Sequence, residues 1–71
     1  MNLNFKEKTT NKLRKVRTDT GVSQTDLAKE IGVTRQTIIA IEKGSYTPSV
    51  LLALKLARYF NLKVEDIFDY E

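Results

Sequence analysis

Arg35 and Gln36 stand side by side at the start of the stretch Thr34-Arg35-Gln36-Thr37-Ile38-Ile39-Ala40-Ile41-Glu42-Lys43. A guanidinium can grip two acceptors at once, such as guanine O6 and N7. A carboxamide both donates and accepts, as adenine N6 and N7 require, and each such pair is worth about 1–3 kcal/mol of discrimination between bases. Ala40 and Ile39 could meet thymine methyl groups. Lys43, the amides after Gly44 and the start of a helix at Gln24 are groups that would sit near phosphate. This is the chemistry of recognition rather than of bond-making. The chain has no Cys and no His, which excludes Cys- and His-based catalysis and removes the usual nitrogen and sulfur ligands of zinc. No catalytic residue, metal site or cofactor is expected, and an enzyme is the weakest reading, since the polar residues cluster on a convex helix face.

Those residues must be carried by helices. Three Gly and one Pro divide the chain into segments of helical periodicity. The first predicted helix runs from roughly Thr10 to Thr20, with Thr9 and Thr10 as candidate N-caps and Gly21 as its stop. The second, Gln24 to Ile31, follows Ser23, whose hydroxyl can cap the exposed amides while Asp26 reaches back as in a capping box. Gly32 supplies the left-handed turn into the third helix, about Thr34 to Lys43. There Ile38 and Ile41 point one way, and Arg35, Gln36, Ile39, Ala40 and Lys43 the other. Thr47 as N-cap and Pro48 at the first helical position open a fourth helix to Phe60. Its inward stripe is Val50, Ala53, Leu54, Ala57 and Phe60, with Leu51, Leu52, Leu56 and Tyr59 extending apolar surface round the cylinder. A short fifth helix spans about Val64 to Phe68. Ahead of all of them, Leu3 and Phe5 alternate with polar residues, a period of two that suits a frayed end or a short strand whose partner would be a second copy.

A chain of 71 residues makes one domain and buries only about 60% of the surface its unfolded form exposes. Its longest apolar run, Val50 to Leu54, is far short of the roughly 20 residues of a membrane span, and no secretory leader is expected from the residues at its start. No membrane association is expected and the cytoplasm is the predicted location. The net charge of +3 conceals a division. Residues 1 to 63 carry twelve basic and five acidic residues (+7), and residues 64 to 71 carry four acids and no base (−4). A basic body with an acidic end fits a polyanionic partner on one side of the molecule. Lys12, Arg14 and Lys15 read as an ordinary solvated face.

Two short helices joined by a Gly turn, the second presenting polar residues outward, match the helix-turn-helix unit. The segment from Val22 to Ile38, with Ile41-Glu42-Lys43-Gly44, closely resembles the Xre family of phage-repressor and Cro-like helix-turn-helix proteins. The likeness continues through Thr47-Pro48-Ser49 and Leu54-Lys55-Leu56-Ala57 to Val64-Glu65-Asp66-Ile67-Phe68. It implies an all-α, compact five-helix, lambda-repressor-like domain over residues 10–68, with its helix-turn-helix at about 24–43. An N-terminal arm or short strand (1–9) would precede it and an acidic tail (69–71) follow it. It implies a dimer that binds double-stranded operator DNA and represses transcription. Carried over, Arg35, Gln36, Ile39 and Ala40 would read base edges, with Ile39 on a thymine methyl or against the sugar-phosphate edge. Gln24, Thr34, Lys43 and Ser45 would meet the backbone, and Arg17 would pair with Glu42 as a structural salt bridge. Lys63 stands where the family often has a Ser cap, and opposes the dipole of the last helix by a few tenths of a kcal/mol.

The apolar surplus around Leu52, Leu56 and Tyr59, with Leu3 and Phe5, is the expected homodimer surface, reading an inverted repeat through recognition helices about 34 Å apart. The alternative reading is an antitoxin-like module that uses the exposed fourth helix and the acidic tail to hold a protein partner.

Overall fold

A computed structural model describes residues 7–71 of the chain; Leu3 and Phe5 lie outside the described residues. In chain order the elements are β1 (Thr9–Asn11), α1 (Leu13–Thr20), α2 (Gln24–Ile31), α3 (Arg35–Lys43), α4 (Val50–Tyr59), α5 (Val64–Ile67) and β2 (Phe68–Tyr70). All five helices deliver an apolar side chain to one core. Leu13, Leu27, Ile38, Ile41, Leu56 and Ile67 are its fully buried members.

The helix-turn-helix follows its local signals closely. Ser23 caps α2, its Oγ accepting from the Asp26 amide at 3.0 Å, and Gly32 turns the chain at φ 86°. A side chain at that φ would be strained, so glycine permits the tight passage into α3. Thr34 caps α3 in the same manner, accepting from the Thr37 amide at 3.3 Å. The reciprocal reach of the capping box occurs at α5 rather than at Asp26. There the Lys63 amide donates to Asp66 Oδ2 at 2.9 Å, and this carboxylate in the first turn offsets the unfavourable Lys.

Three helices, α1, α4 and α5, end or begin elsewhere than in the sequence reading. Thr9 and Thr10 do not cap α1, because Thr9–Asn11 pairs antiparallel with Phe68–Tyr70 in the register Thr9↔Tyr70, Thr10↔Asp69 and Asn11↔Phe68. Lys8 and Glu71 extend the ladder with two bonds of 2.8 Å, and the Lys12 amide donates to the Ile67 carbonyl. The partner of Thr9–Asn11 is therefore the chain's own C-terminal segment, and the acidic residues Asp69 and Glu71 lie along that ladder. Asn11 locks the corner, with Nδ2 donating to the Ile41 carbonyl at 2.8 Å and Oδ1 accepting from the Leu13 amide at 3.1 Å. The second correction concerns α4, which begins at Val50. Ser49 is its cap, accepting from the Leu52 amide at 3.1 Å, while the Thr47 hydroxyl is paired with Thr9. Pro48 thus precedes the helix instead of opening it. Phe60 lies just past the end of α4, and Asn61 turns the chain at φ 56°. The third is Phe68, which leaves α5 to start β2.

The inward face of α4 is also rotated from expectation. Leu52, Leu56 and Ala57 are buried, whereas Val50, Leu51 and Leu54 are 77%, 66% and 40% exposed. Leu52 and Leu56 are therefore core residues and cannot form a dimer surface; of the expected α4 residues only Tyr59 remains exposed. α4 packs on α2 and α5, and those neighbours choose its buried side.

Candidate nucleic-acid interface

α3 exposes a polar side because its apolar residues repeat at a spacing of three. Ile38 and Ile41 are fully buried, which leaves Arg35, Gln36 and Lys43 exposed and Ile39 and Ala40 half-buried beside them. Thr34 is exposed at its N-terminus and shares a 3.2 Å hydroxyl contact with Thr37.

The start of α2 is tied to this face through one continuous network. Arg17 on α1 donates to Glu42 twice, from Nε to Oε2 at 2.6 Å and from Nη2 to Oε1 at 3.2 Å. Its Nη1 donates to the Val22 carbonyl at 3.0 Å. The two side chains are 11% and 5% exposed, so the ion pair is shielded and breaking one half would leave a buried charge. Gln24 Nε2 also donates to Glu42 Oε1, at 3.2 Å, and Arg35 Nη2 donates to Gln24 Oε1 at 3.4 Å. The pairing of Arg17 with Glu42 that the resemblance implied is present, and it extends outward to two residues assigned to DNA.

An open cleft of 530 Å³ lies where α1, α2 and α3 meet; Gln24, Arg35, Ile39 and Lys43 stand in its wall with Arg14, Arg17 and Thr25. From the sequence Arg14 reads as a solvated residue of α1. The structure sets it beside the recognition residues, and it has no ion-pair partner among the described residues. The signal that could have found it is spacing: Arg14 is three residues before Arg17 and so shares its helix face. Its neighbour Lys15 is differently placed, bonded to Asp19 at 2.8 Å, a contact that raises the pKa of the ammonium. Thr34, Gln36, Ala40 and Ser45 are outside the cleft wall. Ser45 also commits its donors elsewhere. Its amide and hydroxyl both donate to the Ala40 carbonyl, at 3.0 and 3.2 Å, and the Gly44 amide donates to Ile41. The Ser45 amide, expected at phosphate, instead closes α3 with that of Gly44, because the carbonyls ending a helix need donors.

Comparison with known proteins places this geometry. A family model described as Helix-turn-helix matches residues 13–67. The chain belongs to the Xre-like helix-turn-helix family. This helix-turn-helix chain is 59% identical over 61 residues to an uncharacterised HTH-type transcriptional regulator of Methanocaldococcus jannaschii, covering 86% of this chain and 92% of that one. It is 30% identical over 56 residues to the cryptic phage CTXphi transcriptional repressor RstR of Vibrio cholerae, covering 79% of this chain and 50% of RstR. Among solved structures it resembles the restriction-modification controller protein C.AhdI of Aeromonas hydrophila, with a TM-score of 0.71 and 33% identity over 76% of this chain and 82% of that one. In this helix-turn-helix protein the wall of the cleft combines α2 and α3 of the motif with Arg14 and Arg17 of α1. Among the described residues no helix is long and apolar enough to cross a membrane.

Proposed function

We propose that this chain binds double-stranded DNA sequence-specifically as a homodimer and represses transcription, acting in the cytoplasm with α3 in the major groove of an inverted-repeat site. The observation that carries the reading is the convergence of Arg14, Arg35 and Lys43 with Gln24 round one open cleft at the face of α3. Arg35 and Gln36, exposed in the first turn of α3, are the base readers, since the N-terminal residues of a recognition helix reach base edges. Ile39 and Ala40 offer apolar contact behind them. Gln24, Thr34, Lys43 and Arg14 serve the backbone, where phosphate contacts fix register without carrying sequence. Similarity to a named repressor, RstR, supports repression, and relatives named as transcriptional regulators favour DNA over a protein partner as the main ligand.

The dimer surface moves from Leu52 and Leu56 to the apolar side chains that the fold leaves in solvent, Val50, Leu51 and Leu54, together with Tyr59. Val50 and Leu54 stand one turn apart on the same side of α4, and adjacent apolar exposure on a small chain suits an interaction site. Selection of bound duplexes from a random pool tests the whole reading. The expected product is a palindrome whose half-sites are one helical turn apart; recovery of duplexes without common sequence would refute it.

A further inference from the structure

We infer that Glu42, besides anchoring Arg17, is a positioning residue for base reading: its carboxylate dictates which end of the Gln24 amide faces Arg35, and through that amide it holds the reading guanidinium in place. This rests on the assignment of Arg35 as a base reader.

Gln24 lies between a group that only accepts and a group that only donates. A carboxylate has no proton to give and a guanidinium no lone pair to offer. One of the two amide orientations satisfies both neighbours, and it is the one present, with Nε2 towards Glu42 at 3.2 Å and Oε1 towards Arg35 Nη2 at 3.4 Å. The opposite orientation would set carbonyl against carboxylate and amino group against guanidinium.

Glu42 is itself immobile. Two bonds from Arg17 hold its oxygens, a third ties Arg17 to the Val22 carbonyl, and its side chain is 5% exposed. The order of that shielded ion pair therefore reaches an exposed residue through one amide. Arg35 is long and solvated, so fixing it on DNA costs side-chain entropy. Gln24 engages one N–H of its Nη2 in advance and leaves the rest of the fork for a bidentate contact. The charge of Glu42 is the essential element. A glutamine of the same shape could present either end to Gln24, and the orientation of the Gln24 amide would no longer be forced.

The test uses the full chain and two variants, Glu42→Gln and Gln24→Met, the second keeping both Arg17 and Glu42. Nuclear relaxation of the Arg35 side-chain Nε, without DNA, reports how firmly the guanidinium is held. The ratio of affinities for the selected duplex and for one altered at the base pair whose preference Arg35→Ala abolishes reports discrimination. Both variants are expected to loosen Arg35 and to lower the ratio about tenfold, within the span of one bidentate contact. The double variant should go no further than either alone, as residues of one network do not add. Unchanged Arg35 relaxation and an unchanged ratio in folded variants that only melt earlier would make Glu42 a purely structural acid and overturn the inference. If Glu42→Gln does not fold, Gln24→Met decides it by the same readouts. A native chain that discriminates between no duplexes would refute the DNA reading, while the relaxation of Arg35 in the two variants would still decide the positioning.

Discussion

α3 and α4 are neighbours in sequence and similar in length, yet they relate to their own residues in opposite ways. α3 alternates chemically distinct faces: two isoleucines three apart are buried, and Arg35, Gln36 and Lys43 stand in solvent. One orientation of that cylinder buries both isoleucines and leaves Arg35 and Lys43 in solvent, and the one charge it shields, Glu42, is paired with Arg17, so the sequence of α3 sets its outward side. α4 is apolar almost all round and offers no such constraint. Its buried residues are Leu52, Leu56 and Ala57, and Val50 and Leu51, no less apolar, are left exposed. A helix of one chemistry is oriented by what packs on it, here α2 and α5. The face proposed to read DNA is thus set locally, and the apolar side chains proposed to meet a second copy are what remains once the core is complete.

Substitutions along α4 break this comparison most forcefully. Leu56→Ala removes a fully buried side chain and should cost about 2–5 kcal/mol of unfolding free energy in denaturant titration. Leu51→Ala, two-thirds exposed, should change it by less than about 0.5 kcal/mol at concentrations where the chain is monomeric. Equal losses would mean the face has been assigned wrongly. On α3 the expectation is smaller and concerns selectivity. Gln36→Ala or Arg35→Ala should lose about 1–3 kcal/mol of preference for the selected duplex over one altered at the contacted base pair, read by competition binding.

The helix starts sharpen the contrast at a lower level. Ser49→Ala should destabilise the fold by about 1 kcal/mol in thermal or denaturant melts, because Ser49 caps α4. Thr47→Ala, which removes an exposed hydrogen bond to the Thr9 hydroxyl, should fall within about 0.5 kcal/mol of the native chain. Arg14→Ala is expected to have the mildest effect, weakening selected and scrambled duplexes alike and reducing the slope of log affinity against log salt by about one. A loss confined to the selected duplex would instead make Arg14 a base reader.

What could be seen in the sequence follows the same division. Ser23, Gly32 and Gly44 are unambiguous local signals, and the helix-turn-helix has the bounds they dictate. Thr9-Thr10-Asn11 is ambiguous, because threonine serves both as helix cap and as strand former. The deciding partner, Phe68-Asp69-Tyr70, lies at the other end of the chain. Thr47 before Pro48 suggests that Pro48 opens α4, but Ser49 beyond it is also a capping residue and takes the role. In the cleft, Gln24, Arg35 and Lys43 were legible from the pattern of α2 and α3. Arg14 was not, since only the packing of α1 against α3 brings it there. Nor could the pattern tell that Gly44 and Ser45 turn their amides back on their own helix.

The most direct measurement is a map of backbone amide shifts as a duplex from the random-pool selection is added to the chain. Perturbations concentrated on Arg14, the first turn of α2 and the exposed side of α3, with Val50, Leu51 and Leu54 left as in the DNA-free protein, are the expected result. Perturbations centred on α4 and the β1–β2 pair, with Arg35 and Gln36 unmoved, would contradict the assignment of α3 as the reading helix.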